Sequence, residues 1–307
     1  NQSISEVGVF NLSVSDDDYF GQIIPVFTLS NVGRFYPETF LLSSAGPVNS
    51  CGNFSYMSQP GIEIDYSLQA QQAGGGQTFN YKGSFAKATI TMVAENDNDG
   101  GSYQARLLGY PATNWVDGEY VFVDTGQFSR ASNVDGPFRT LQVGILLSDN
   151  DGDDSNIVGL DMRSDTNTDC NAIGDCNAAW LGKNLDLRFG QLTLSNVFGP
   201  ETFSLDMAVQ TEYYDETKFV LSTDDNCTSL FLTDPPFSPL PLSWTGNLAA
   251  GETIPSLVTN ISAGEGEIRF SAAGLGNEGS VMFEYDTSTI TNLPWLNTEN
   301  DGDSDYG

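Results

Sequence analysis

The stretches "ATITMVAE", "GEYVFVD", "LRFGQLTLSN", "FSLDMAVQTEYY", "GEIRFSAAG" and "SVMFEYDTS" alternate apolar and polar residues with period two. Successive side chains of a strand point to opposite faces, so each run can cover a core with one face and meet water with the other. A helix would scatter the same residues around its circumference. Gly, Asn and Asp punctuate the runs at roughly 8–12-residue spacing, the pattern of hairpin-linked sheets. The best helical candidate is a single turn in "DCNAAWLGKN", around Ala178 to Leu181. The pattern predicts an all-β chain of tandem β-sandwich domains, Ig-like or jelly-roll-like, with long acidic loops.

At 307 residues the chain is long enough for two such domains. Residues 1–30 hold two strand-like runs, "EVGVFNLSVS" and "QIIPVFTLS", split by "DDDYFG". They read as the last strands of a preceding β domain or as edge strands of the next. Residues 31–185 form one strand-rich unit with acidic loops. Residues 186–307 form a second, interrupted by the proline-rich "TDPPFSPLPLSW", an extended connection because proline cannot donate to a ladder. The opening residues read as a strand already under way, so the chain is expected to be a segment of a longer polypeptide.

Forty-one acidic side chains against 11 basic ones give a net charge of −30, and there is no histidine. Such a field repels phosphate backbones, and nucleic-acid binding is not expected. No run approaches the length of a membrane span, and "NQSISEVGVF" lacks the features of a signal peptide. Without histidine there is no Ser-His-Asp or Cys-His centre, and no "GxxxxGK" loop occurs. "GLGNEG" at 274–279 matches GxGxxG but leads into a strand rather than a helix, so it reads as a glycine-rich turn. Paired carboxylates could run glycoside hydrolysis, yet in so acidic a chain some pair falls at a catalytic separation by chance. No catalytic residue is assigned.

The acidic side chains gather after strands, in "SDDDYFG", "ENDNDGG", "SDNDGDD" and "NTENDGDSDYG". Calcium takes six to eight oxygen ligands, so alternating aspartates beside a tight turn offer suitable chemistry. The candidate ligands are Asp149, Asp151, Asp153 and Asp154, then Asp97 and Asp99, then Asp301, Asp303 and Asp305. None completes an EF-hand: Asp154 and Tyr306 stand where that loop needs glycine. The competing reading is plain turn chemistry, since Asn, Asp and Gly tolerate positive φ. Calcium is the suspected cation.

The cysteines are Cys51, Cys170, Cys176 and Cys227, an even set with no CxxC. Cys170 and Cys176 are the natural local pair, leaving Cys51 with Cys227, although four cysteines permit three connectivities. Disulfides place the chain in an oxidising compartment. Arg34 and Arg188, beside phenylalanines in "GRF" and "LRFG", read as partners for carboxylates. Tyr110, Trp115, Tyr213, Tyr214, Trp244 and Trp295 read mainly as core or edge cover, with stacking on sugars or a protein partner as the other use.

"NVGRFYPETF", "CGNFSYMSQPGIEIDYSLQAQ", "FNYKGSFAK", "LRFGQLTLSNVFGPE", "TEYYDETKFVLSTDDNCTSL" and "LPWLNTENDGDSDYG", in this order, resemble the C-terminal region of MshQ-type proteins. The resemblance covers nearly the whole chain, and it implies that the second sandwich is incomplete at its C-terminal end. It implies a bacterial surface or periplasmic protein linked to the mannose-sensitive haemagglutinin type IV pilus system, with no catalytic residues to carry over. The expected function is therefore an extracytoplasmic, non-enzymatic structural or adhesion segment stabilised by calcium and disulfides. Its expected partners are other pilus or cell-surface proteins, with surface glycans as a further class. The alternatives are a calcium-dependent carbohydrate-binding module and a secreted glycan-active enzyme.

Overall fold

The computed structural model describes residues 4–96, 101–149, 151, 156–158, 162, 178–230, 243–282, 285, 287 and 293–297. The regular secondary structure of the described residues is almost wholly strand, with only short 3-10 turns beside it and loops between. The chain is an all-β tandem of sandwich units.

The first element is a hairpin of β1 (Gly8–Tyr19) and β2 (Gln22–Phe35). Tyr19 faces Gln22 across the turn, and Phe20 and Gly21 both have positive φ, 52° and 78°, as a two-residue hairpin loop requires. Among the described residues these strands pair only with each other.

The next strands are β3 (Thr39–Ser44), β4 (Ser55–Tyr56), β5 (Ile62–Gln71), β6 (Ala88–Asn96), β7 (Leu107–Leu108), β8 (Trp115–Val116), β9 (Glu119–Phe128), β10 (Phe138–Asp149), β11 (Asn156–Val158) and β12 (Ala179–Arg188). They form one sheet in the order β4-β12-β10-β6 and another in the order β11-β3-β5-β9-β7, with β8 against β9. Ile62, Ile64, Tyr66 and Leu68 of β5 face Leu141, Val143 and Ile145 of β10 and Leu185 and Leu187 of β12 in one core. Burying a large apolar side chain of this kind contributes about 1.5–3 kcal/mol, which is how the period-two pattern becomes stability.

Ala178 to Leu181 corrects the sequence reading. Ala179 to Leu181 begin β12 rather than a helical turn, because Ala179 and Leu181 alternate into the core and Ala179 pairs with Ile145. Gly182, at φ 94°, lies in the left-handed region where the strand bends before resuming its inward residues at Leu185.

The second unit comprises β13 (Gly190–Leu194), β14 (Leu205–Tyr214), β15 (Phe219–Leu221), β16 (Trp244–Gly246), β17 (Pro255–Ser262), β18 (Glu265–Phe270) and β19 (Gly279–Val281). One sheet runs β13-β14-β18-β17, with β15 on β14, and β16 pairs β19 separately. Gly274 and Gly276 adopt positive φ in the loop before β19, so "GLGNEG" is a turn that leads into a strand. The second core gathers Leu192, Val209, Ile268, Phe270 and Leu296, and it also takes Cys51, Phe54 and Tyr56 from the first half of the chain.

Candidate functional site: the junction of the two units

Segment 51–57 belongs to both cores by the same alternation that builds the strands. Tyr56 points into the second core, while its neighbour Met57 points into the first. The segment is held in place where β4 pairs in parallel with Leu187 and Arg188 of β12, and where the Met57 amide donates to the Arg188 carbonyl at 2.8 Å.

Cys51 is joined to Cys227 by a disulfide, with Cα atoms 5.6 Å apart and a separation of 176 positions in sequence. Cys170 and Cys176 lie outside the described residues. Beside the bridge, Asp225 is fully buried. Its Oδ1 accepts the backbone amides of Cys227 and Thr228, each at 3.0 Å. Its Oδ2 accepts the hydroxyls of Tyr56 at 2.9 Å and Thr228 at 2.7 Å. Cys51, Asp225 and Cys227 cluster closely enough to suggest a metal centre, but the two sulfurs are bonded to each other and offer no thiolate. The Tyr56 hydroxyl is pushed far above its usual range, first by burial and then by the Asp225 charge.

Arg188 forms the second tie. Its guanidinium is buried between the rings of Phe54, 4.2 Å from its centroid, and Tyr213, at 4.7 Å. It donates to both oxygens of Asp224 at 2.7 and 2.9 Å and to Asp186 at 2.9 Å. Burial alone would favour the neutral form of Arg188, but the hydrogen bonds to Asp224 and Asp186 outweigh it and hold its pKa above the ordinary value. The same bonds hold Asp224 below the usual carboxylate range against its partial burial.

Arg130 supplies a third tie. It lies 3.8 Å over the Phe189 ring and donates from Nη1 to the carbonyls of Trp295 at 2.9 Å and Asn297 at 2.7 Å. Burial lowers its pKa to about 10, opposed by the charge of Asp135. The structure thus pairs Arg188 with carboxylates as the sequence suggests. The roles of Asp225, Tyr56 and Arg130 escaped sequence reading because their partners lie up to 169 residues away. One local signal existed: an Asp followed two and three residues later by amides it can accept is the pattern of an Asx turn.

The predicted cation ligands are mostly beyond view. Asp97, Asp99, Asp153, Asp154, Asp301, Asp303 and Asp305 lie outside the described residues. Asp149 accepts the Tyr81 hydroxyl at 3.2 Å and the Asp151 amide at 3.1 Å, and Asp151 is ion-paired with Arg34. These two aspartates therefore already have protein partners.

Of the aromatics, Trp115 and Trp295 are buried. Tyr213 is covered by Arg188 and Arg139, Tyr214 packs on Phe219, and Trp244 sits half-buried in β16. A cavity of about 320 Å³ in the second unit is lined by Leu205, Met207 and Phe270, with Glu201 and Glu278 its charged residues. No helix among the described residues is long and apolar enough to cross a membrane.

Two sandwich units joined by a disulfide, a shared core segment and the Arg188 and Arg130 ties define a multidomain all-β protein whose built centre is an interdomain joint. The chain belongs to the DUF6701 family: residues 6–177 match the description "DUF6701, third domain" and residues 188–307 "DUF6701, fourth domain". No curated protein matches it. Among solved structures it is similar to FdeC, described as a broadly conserved Escherichia coli adhesin, at 13% identity and a TM-score of 0.31, over 89% of this chain and 68% of that one.

Proposed function

We propose that the chain is an extracytoplasmic, non-enzymatic structural segment of a bacterial surface protein, carrying adhesive parts rather than performing chemistry. The observation behind this reading is the joint: the disulfide, Asp225 and Arg188 all serve to fix one sandwich against the other. A disulfide of this kind belongs to an oxidising compartment. A fixed interdomain angle lets a chain of domains transmit force and hold a shape, whereas ordinary intra-chain interfaces allow domain motion. The MshQ-type resemblance supports a link to a type IV pilus, with pilus or other surface proteins as partners.

The joint is tested with spin labels, one on each unit, and distance measurement by pulsed electron resonance. The oxidised protein gives one narrow distance, and a Cys51→Ser, Cys227→Ser variant gives a broader distribution. Equal widths would remove the bridge from the mechanism.

Calcium is the proposed further tie at the acidic tips, where it would neutralise converging aspartates. With calcium the melting temperature should rise, and chelator should reverse the rise. No shift with either treatment would end the calcium proposal while leaving the joint intact.

A further inference from the structure

The β1–β2 hairpin is amphipathic, and among the described residues its apolar face stands exposed. In antiparallel pairing, directly opposed residues share a face. Leu12 opposes Leu29 and Val14 opposes Phe27 on one face, while Ser13 opposes Thr28 on the other, their hydroxyls 2.8 Å apart. The apolar four are 51–66% exposed. Sheets that meet water on one face bury the other, and a lone two-stranded hairpin is marginal in water. The turn geometry is nevertheless that of a well-formed hairpin, and the Asp18 carboxylate accepts the Gly21 amide at 2.8 Å to fix the tip.

Two features point to what covers this face. First, residues 6–177 match a domain the family numbers third, and the hairpin is the first element of that match, so in the family's order it adjoins a second domain. Second, the joint between the third and fourth domains is made by lending an element, segment 51–57, to the neighbour's core. A second copy is a poor occupant, because two chains of net charge −30 repel.

We infer that the β1–β2 hairpin is the docking element for the family's second domain, with Leu12, Val14, Phe27 and Leu29 packing against an apolar sheet surface of that domain. Residues 8–33 contain no Lys or Arg, and Asp16, Asp17 and Asp18 crowd the tip. The receiving surface is therefore apolar where it meets the ribbon and basic where it meets the tip. This joint uses none of the residues of the third–fourth junction, so the two can fail separately.

The test is amide hydrogen exchange of residues 8–35, in residues 1–307 alone and in the longer polypeptide carrying the second domain ahead of them. The expected result is exchange slowed at least about tenfold by the second domain. That protection should disappear in a Phe27→Ser, Leu29→Ser variant whose sandwich melting temperature is unchanged. Equal exchange in both wild-type polypeptides would overturn the inference. So would protection in residues 1–307 alone that grows with concentration, which would assign the face to a second copy.

Discussion

Removing the Asp225 carboxylate would leave the Tyr56 and Thr228 hydroxyls and the Cys227 and Thr228 amides without their acceptor in a buried site. Hydrogen bonds to a charged group contribute about 1.5–3 kcal/mol each but do not add, so Asp225→Ala is expected to destabilise by about 3 kcal/mol or more. Urea unfolding with an unchanged m-value checks it, and a loss below about 1 kcal/mol would mean that the site relaxes around the gap. Arg188→Lys should also destabilise measurably. A point charge on a flexible stem cannot donate to Asp224 and Asp186 together while lying flat between Phe54 and Tyr213.

Titration at the joint and in the first core sets the pH range. Asp224 has a depressed folded pKa, so its contribution is present above the unfolded value of about 3.9 and is lost as pH falls through the folded value. Tyr56 and Tyr66 are both raised, chiefly by burial, so their contribution is complete below about pH 10 and declines as pH rises beyond it. Arg188 stays charged throughout and adds no pH dependence in the accessible range. Melting temperature should be level from about pH 5 to 9 and fall on both sides. Arg130, lowered to about 10 by burial, adds an opposing rise above that pH, so a continued rise above pH 10 that persists in an Arg130→Gln variant would contradict the burial of these phenols.

At the scale of strands, β5 and β9 test the alternation directly. Ile64 is fully buried, and Ile64→Ala should cost about 2–5 kcal/mol through lost burial and a cavity. Val123 of β9 is 62% exposed, and Val123→Ala should change stability by less than about 0.5 kcal/mol. Chemical denaturation of both variants decides it, and similar losses would mean the outer face is covered. These faces were legible because period two is a local property. β12 was not, because "NAAWL" suits a helical turn or a strand equally well. The choice fell to β10, whose Ile145 and Gly144 pair with Ala179 and Trp180. Turns were legible where Gly, Asn or Asp met a need for positive φ, as at Gly21 and Gly274, but not at Phe20, whose positive φ no turn residue announces.

For the whole molecule, the Cys51–Cys227 bridge closes a loop of 176 residues. The chain-entropy model puts the ceiling for such a loop at roughly 5 kcal/mol, with 2–4 typical. The Cys51→Ser, Cys227→Ser variant should lose stability in that range by denaturant midpoint. If the midpoint does not move, the core residues and the arginines alone hold the units together.

The sequence by itself determined the class of structure: alternation demands sheets, punctuation sets short strands, and a charge of −30 without histidine shapes the surface and the available chemistry. The cysteine count pointed to bridges, and the arginines to carboxylate partners, without fixing which. Only the tertiary structure decided that Cys51, Tyr56 and Asp225 meet, that Arg130 reaches the carbonyls of Trp295 and Asn297, and that the hairpin's apolar face is exposed among the described residues. Alternation tells each residue which side of its strand it occupies. The partner across that face depends on how distant strands pack, and no local pattern encodes that.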